Sequence, residues 1–423
     1  MLTAATWNDR AVREHLEVTL FMPSDAALSR VTLPSRWLIA IVAILFTVSS
    51  IPASAQGAAD DWIIAPPDVS AQAIYVVDAT TGIPLYSKNP NEHLPIGSVV
   101  KIMTALVTIR HVEDLNEQVV IQESDLVDTS VYSNMALQEG DTLTVSLLLY
   151  GLLIPSGNDG ARALARHVGA KLSGSEDNRV ATEAFVNEMN AYAAELGLDN
   201  SRFTNSHGED SPNAYSSAED VSILARELMK SELLRNIVSQ PAYRFTSVGP
   251  EQRVYEKSTT NKRLGQNGVV GIKTGTTVDA GGNVVLAREV NDGNNTVIIV
   301  ILGADHSYVT GDPNTPDARW ADADTIMSAM DQQFAWTTPN SDGLLPGLNE
   351  QLAVWDVSLE NPPAIPVPNV EGVTLGYQLQ LAPAAEGGSA GTLHLYYGQT
   401  HVGALPLTQA GSATGSDHGK VAA

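Results

Sequence analysis

The sequence predicts an α+β fold in which an antiparallel sheet is flanked by helices and carries a helical lobe, followed by a small all-β domain. Three observations predict it. Two strands joined by a Gly-containing turn, Ala73 to Ser87, stand just before an apolar helical pattern that starts near Pro95. Helical periodicity fills the middle of the chain, and strands return between Val269 and Leu302. After Thr337 the texture changes to short alternating segments broken by Pro and Gly.

Composition bounds the reading. A chain of 423 residues, 43% hydrophobic and 17% charged, has material for two or three globular domains. Its 48 acidic residues against 24 basic ones give a net charge of −24, a field that repels nucleic acid and anionic membrane surfaces and excludes DNA or RNA as partners. With no cysteine, disulfides, thiolate metal sites, a cysteine nucleophile and a lipid-modified cysteine are all excluded.

Residues 1–55 read as an N-terminal extension and signal peptide. Trp37 to Ser50 is a 14-residue apolar run preceded by Arg30 and Arg36 and followed by Ala53-Ser54-Ala55, a small-residue cleavage pattern. Met22 is an alternative start. The mature chain is expected to begin near Gln56, exported to the periplasm or the extracellular face of the envelope. Membrane association is expected only if the apolar segment stays uncleaved. Residues 56–340 form the main domain, 341–410 the small β-rich domain and 411–423 a disordered tail.

Within the main domain the elements follow from local pattern. Val100, Met103 and Val107 recur at helical spacing. Thr144 is placed to cap a leucine-rich helix ending near Leu153, and a second helical pattern runs from Gly160 to Val168. Helices are expected over 181–196 and 217–229, the latter opened by a Ser217/Asp220 capping box. Strands are expected at 269–277, 284–288 and 296–302, the last two around an Asn-Asp-Gly turn. Arg319 opens a final helix expected over Trp320 to Trp336. Beyond the linker TTPNSDGLLPGL, the segments AVWDVSL, YQLQLAP and TLHLYYG read as short strands.

Three short patterns carry chemistry. Ser98 and Lys101 form S-x-x-K on a helix, where positions three apart share a face, so a hydroxyl nucleophile would stand beside an amine base. Lysine serves as a base only if burial or a second cation lowers its pKa. Ser156-Gly157-Asn158 places a hydroxyl and an amide on a sharp connection between helices. Lys273-Thr274-Gly275 ends an apolar strand, offering a cation for a carboxylate beside a glycine that lets a substrate backbone come close. Each alone is ordinary: a helix surface, a turn, a strand end. Together and in order, 58 and 175 residues beyond Ser98 for the second and third, they suit one domain. His207, alone in a polar loop, reads as structural.

This set is the one found in penicillin-binding proteins and class A β-lactamases. More specifically, the chain resembles the low-molecular-mass D-alanyl-D-alanine carboxypeptidases over roughly Ala71 to Phe334. IGSVVKIMT looks like that family's PASLTKIMT, LLIPSGNDGARALA is close to its LLISGNDA stretch, and VVGIKTGTT matches its DGIKTG segment. The resemblance implies a serine β-lactamase/transpeptidase-like main domain. It implies Ser98 as nucleophile toward the penultimate D-alanine of a peptidoglycan stem peptide, with Lys101 as base and Ser156 passing the proton to the leaving amine. Asn158 would hold Lys101 and the substrate amide. Lys273 and Thr274 would bind the terminal carboxylate beside Gly275, with Arg319 as a second cation, and the backbone N–H groups of Ser98 and Thr276 would form the oxyanion hole, each donor worth about 2.7–4 kcal/mol. Neither cofactor nor metal is expected, and β-lactam antibiotics are expected as acylating inhibitors.

Two departures from the family pattern stand out. Gly97 replaces the alanine before the nucleophile, expected to loosen the helix start by about 0.5–1 kcal/mol. Ala214 stands where the family's N-H-Y-S loop has histidine. Three alternatives remain open on sequence grounds: a D-Ala-directed endopeptidase, a class A-like β-lactamase, and an idle envelope protein that binds peptidoglycan. The β-lactamase needs an E-x-x-L-N glutamate, and the nearest candidate, Glu195, continues as LGLDN.

Overall fold

The computed structural model describes residues 15–17, 32–34, 64–382 and 389–409. The apolar run from Trp37, the Ala53-Ser54-Ala55 site, Gln56 and the tail from residue 411 lie outside the described residues. Residues 1–58 and 59–423 divide into two units. In the first, His15–Glu17 pairs antiparallel with Thr32–Pro34, where the sequence showed no periodicity. The second unit carries the other described elements.

Its centre is a five-stranded antiparallel sheet built from β1 (Ala73–Asp78), β2 (Pro84–Lys88), β3 (Val269–Thr277), β4 (Gly281–Val290) and β5 (Asn295–Ala304), in the order β2-β1-β5-β4-β3. The period-2 pattern of β5 explains why the sheet is covered on both sides. Ile298, Val300 and Leu302 enter one hydrophobic core, and Val297, Ile299 and Ile301 enter the other. Asn291 and Asp292, at φ 53° and 54°, make the left-handed turn that joins β4 to β5, as the Asn-Asp-Gly sequence predicts.

The first core is the helical lobe: α1 (Lys101–His111), α2 (Val145–Leu153), α3 (Asn158–Ser173), α4 (Asn178–Glu195), α5 (Ala218–Lys230) and α6 (Glu232–Val238). Helix α5 buries Val221, Leu224, Ala225 and Leu228, an i, i+3, i+4, i+7 stripe, and packs on β5 and β1. Truncating such a leucine costs about 2–5 kcal/mol. Thr144 accepts from the Leu147 N–H and Ser217 from the Asp220 N–H, as predicted, while the Asp220 carboxylate, expected to complete a capping box, accepts instead from the Asn200 N–H and the Ser201 hydroxyl.

The second core lies between the opposite sheet face and α7 (Arg319–Gln333), through Ala323, Ile326, Met327 and Met330. It runs on without interruption into Leu393, Leu395, Tyr397 and Leu407 of the C-terminal strands. Those strands, β6 (Val357–Ser358), β7 (Leu375–Leu381), β8 (Ser389–Tyr397) and β9 (Thr400–Gln409), form a sheet in the order β6-β9-β8-β7.

Two element predictions are corrected. Helix α7 stops at Gln333, and Phe334–Thr337 becomes a strand paired with Ile365–Pro368, because Phe334 is buried and Trp336 reaches Asp78 through its indole N–H. The AVWDVSL segment keeps only the two-residue strand Val357–Ser358: its Ala353 and Val354 end a helix, α8 (Leu348–Val354), which buries Leu348 and Leu352 one turn apart. Among the described residues no helix is long and apolar enough to cross a membrane.

Candidate active site

The site forms where the start of α1, the α2–α3 connection and β3 converge. Ser98 lies in a 3₁₀ turn, Gly97–Val100, that runs directly into α1. In 3₁₀ geometry residues i and i+3 eclipse, which lines Ser98 up with Lys101. Lys101 Nζ is 2.8 Å from Ser98 Oγ, 2.6 Å from Asn158 Oδ1 and 2.5 Å from the His207 carbonyl. The lysine is completely buried, and burial, followed by the charge of Lys273, holds its pKa well below the ordinary lysine value against the opposing pull of Asp159. An amine in this setting is a competent proton acceptor near neutral pH.

Gly97 has φ +50°, and a Cβ there would lie 3.2 Å from Thr277 Cγ2 and 3.3 Å from the Thr276 nitrogen. The expectation that this glycine loosens the helix start is therefore corrected: the turn needs a left-handed residue, and glycine supplies it without penalty.

Ser156 ends the approach from α2 in a left-handed conformation (φ 68°), sparsely populated for a serine. Its Oγ is buried and has no protein hydrogen-bond partner. Asn158 opens α3. Asp159, next in the chain, is buried and accepts from the backbone N–H groups of Met135, Leu137 and Gly160, which ties the preceding loop over the Ser156 turn.

The third wall is β3. A Cβ on Gly275 would come within 2.4 Å of the Ile96 carbonyl and 3.2 Å of the Val99 nitrogen, so only glycine lets the strand press against the Ser98 turn. Lys273 is buried and donates to the Thr274 carbonyl at 2.7 Å; burial and the neighbouring Arg319 bring its pKa down to about 7. Thr274 Oγ1 meets Thr260 Oγ1 at 2.6 Å. Arg319, at the start of α7, donates to the carbonyls of Gly275 and Asn283, to Thr276 Oγ1 at 2.6 Å and to Asp317 at 2.6 Å. Its guanidinium thus clamps the strand and orients the Thr276 hydroxyl.

A cavity of 160 Å³ is lined by Ser98, Ser156, Thr274, Thr276 and Arg319 among the anticipated residues. Lys101, Asn158 and Lys273 lie behind it, buried among the same elements. Sequence reasoning missed Ser133, Thr260, Lys262, Asp317 and Trp320, which complete the lining. No spacing signals them, because they come from separate loops and a helix start.

His207 also changes meaning. Its backbone carbonyl, not its ring, meets Lys101. Burial, then the charges of Lys101 and Arg162, lower the imidazole pKa to about 4, and its Nε2 is 3.3 Å from Glu209. Glu195, the one residue weighed as a β-lactamase glutamate, pairs with Arg110 at 2.7 Å on the surface. Among the described residues no group of three or more histidine or carboxylate side chains is arranged to hold a metal.

The sequence profile of the D-alanyl-D-alanine carboxypeptidase family matches residues 61–306. The chain is 32% identical over 296 residues to a D-alanyl-D-alanine carboxypeptidase of Streptomyces sp. strain K15, covering 68% of this chain and 97% of that one. It is 34% identical to D-alanyl-D-alanine carboxypeptidase DacF of Bacillus subtilis, covering 62% and 63% respectively. Among solved structures, the Streptomyces K15 DD-transpeptidase superposes with a TM-score of 0.56 at 32% identity, over 63% of this chain and 98% of that one. Penicillin-binding protein 6B of Escherichia coli shares the fold, with a TM-score of 0.58 at 24% identity over 81% of this chain and 96% of that one.

Proposed function

The chain belongs to the D-alanyl-D-alanine carboxypeptidase family, and from that premise we propose that it removes the terminal D-alanine from peptidoglycan stem pentapeptides through an acyl-enzyme on Ser98. The observation that carries the proposal is Lys101: a completely buried amine, 2.8 Å from the Ser98 hydroxyl, whose pKa burial and a second lysine push down.

Ser98 Oγ attacks the carbonyl of the penultimate D-alanine while Lys101 takes its proton. The tetrahedral oxyanion is received by the backbone N–H groups of Ser98 and Thr276. The C–N bond breaks as Ser156, its Oγ otherwise unpartnered, relays the proton to the leaving D-alanine amine. Water then attacks the ester, giving a proton to Lys101 that returns to Ser98. Asn158 holds Lys101 at 2.6 Å. Thr274, Thr276 and the charges of Lys273 and Arg319 receive the free carboxylate, Gly275 lets the peptide lie close, and Arg319 acts chiefly through the Thr276 hydroxyl that it holds. A β-lactam follows the same path as far as the ester, and an envelope location follows from a peptidoglycan substrate.

The test is incubation of the mature protein and its Ser98→Ala variant with a D-Ala-D-Ala pentapeptide, a cross-linked peptide dimer and a fluorescent penicillin. Released D-alanine plus a persistent label, both lost in Ser98→Ala, is the expected result. Dimer cleavage in preference to D-alanine release indicates an endopeptidase, rapid penicillin turnover a β-lactamase, and neither product nor label an idle binder.

A further inference from the structure

The loop from Thr204 to Asp210 passes behind the nucleophile turn, and one side chain organises it. Asn205 Oδ1 accepts three successive backbone N–H groups, those of His207 at 3.2 Å, Gly208 at 2.6 Å and Glu209 at 3.2 Å, while its Nδ2 donates to the Glu209 carbonyl at 3.0 Å. The turn is thereby wrapped around a single amide.

Both products of this wrapping point at the reacting groups. The His207 carbonyl is delivered to Lys101 Nζ at 2.5 Å. Gly208, at φ +90°, rests so closely on the nucleophile turn that a Cβ there would lie 2.1 Å from the Gly97 oxygen and 2.8 Å from the Ser98 nitrogen. Ser206, in between, is fixed independently: its carbonyl accepts from Thr104 at 2.6 Å and its hydroxyl donates to Ala161 at 3.1 Å. What Asn205 adds beyond those anchors is the direction of the His207 carbonyl and the seating of Gly208.

We propose that Asn205 is a positioning residue for acylation, holding the His207 carbonyl on Lys101 and the Gly208 backbone against the Gly97–Ser98 peptide. The proposal rests on the serine-acylation reading above. Lys101 faces Ser98 on its own turn, Asn158 and Asp159 at the start of α3, Lys273 on β3 and the His207 carbonyl. The His207 ring in turn faces Arg162 and Glu209. An uncharged acceptor on Lys101 favours its ammonium form, so losing that acceptor lowers its pKa, whereas a new carboxylate nearby raises it.

The test is the pH dependence of penicillin acylation in the full mature chain, for wild type, Asn205→Ala and Asn205→Asp, with active fraction from end-point labelling and melting temperature in parallel. Asn205→Ala is expected to lower the plateau rate per labelled site on the order of 10²-fold, with the acidic limb moved to lower pH. Asn205→Asp keeps an acceptor oxygen for the three N–H groups. Its plateau is expected within a few-fold of wild type, with the limb moved to higher pH. If both variants only melt earlier or label a smaller fraction, with rate per site and limb as in wild type, Asn205 is structural and the proposal is overturned. Asn205→Asp alone decides the question if Asn205→Ala does not fold. Failure of wild type to label overturns the acylation reading itself and this proposal with it, a result distinct from unmoved limbs in a wild type that labels.

Discussion

The charge of Lys273 on β3 disfavours the ammonium form of Lys101 on α1, although both lysines are completely buried and stand on elements far apart in the chain. The proposed carboxylate-binding cation and the proposed base are therefore electrically one unit. Lys273→Gln removes the opposing charge, so the Lys101 pKa rises and the acidic limb of penicillin acylation moves to higher pH. Lys273→Arg keeps the charge and is expected to leave the limb close to its wild-type position. A limb that stays in place in Lys273→Gln would show that burial alone sets the base.

Lys273 also leaves a mark on stability. Unfolded, its pKa is near 10.5, and folded it is about 7. Between these values the unfolded chain holds a proton that the folded chain lacks, so this group makes stability rise with pH from about 7 to about 10.5, by at most about 1.4 kcal/mol per pH unit. Below pH 7 both states are protonated and the contribution is flat. Urea unfolding at pH 7 and pH 9 is expected to show a larger gain for wild type than for Lys273→Met. Equal gains would contradict the assignment.

Much of this arrangement was legible in the sequence because it rests on local chemistry. The spacing of Ser98 and Lys101, the caps at Thr144 and Ser217, and the alternation in β5 are short-range patterns that the fold keeps. What escaped depends on long-range contact. The His207 carbonyl reaches Lys101 across 106 positions, and backbone oxygens leave no trace in residue identity. Gly97 holds a φ of +50° that residue identity alone does not reveal. The strand at Phe334–Thr337 replaced a helical turn because its partner, Ile365–Pro368, lies beyond the linker.

Gly97→Ala tests the left-handed turn. Alanine pays about 1–2 kcal/mol for that conformation, and its Cβ would meet the Thr276 nitrogen at 3.3 Å, one of the two proposed oxyanion donors. The variant is expected to lose about 1 kcal/mol of unfolding free energy and to acylate more slowly. A more stable Gly97→Ala would restore the view that this glycine merely weakens a helix start.

Asp159 separates the structural part of the site from the electrostatic part. Its two carboxyl oxygens accept from the N–H groups of Met135, Leu137 and Gly160 at 2.9–3.1 Å, all of them buried. In Asp159→Asn the same volume carries one donor group where there were only acceptors, so at least one N–H loses its partner and unfolding free energy should fall by about 1–3 kcal/mol. The substitution also removes the negative charge that supports the ammonium form of Lys101. The Lys101 pKa then falls, and the acidic limb of acylation moves to lower pH, opposite in direction to Lys273→Gln. In the double variant the two limb shifts should largely cancel while the stability loss of Asp159→Asn persists, because the first effect is charge acting on one amine and the second is an unpaired backbone group. Shifts of the same sign in the two single variants would mean that something other than these charges sets the protonation of Lys101.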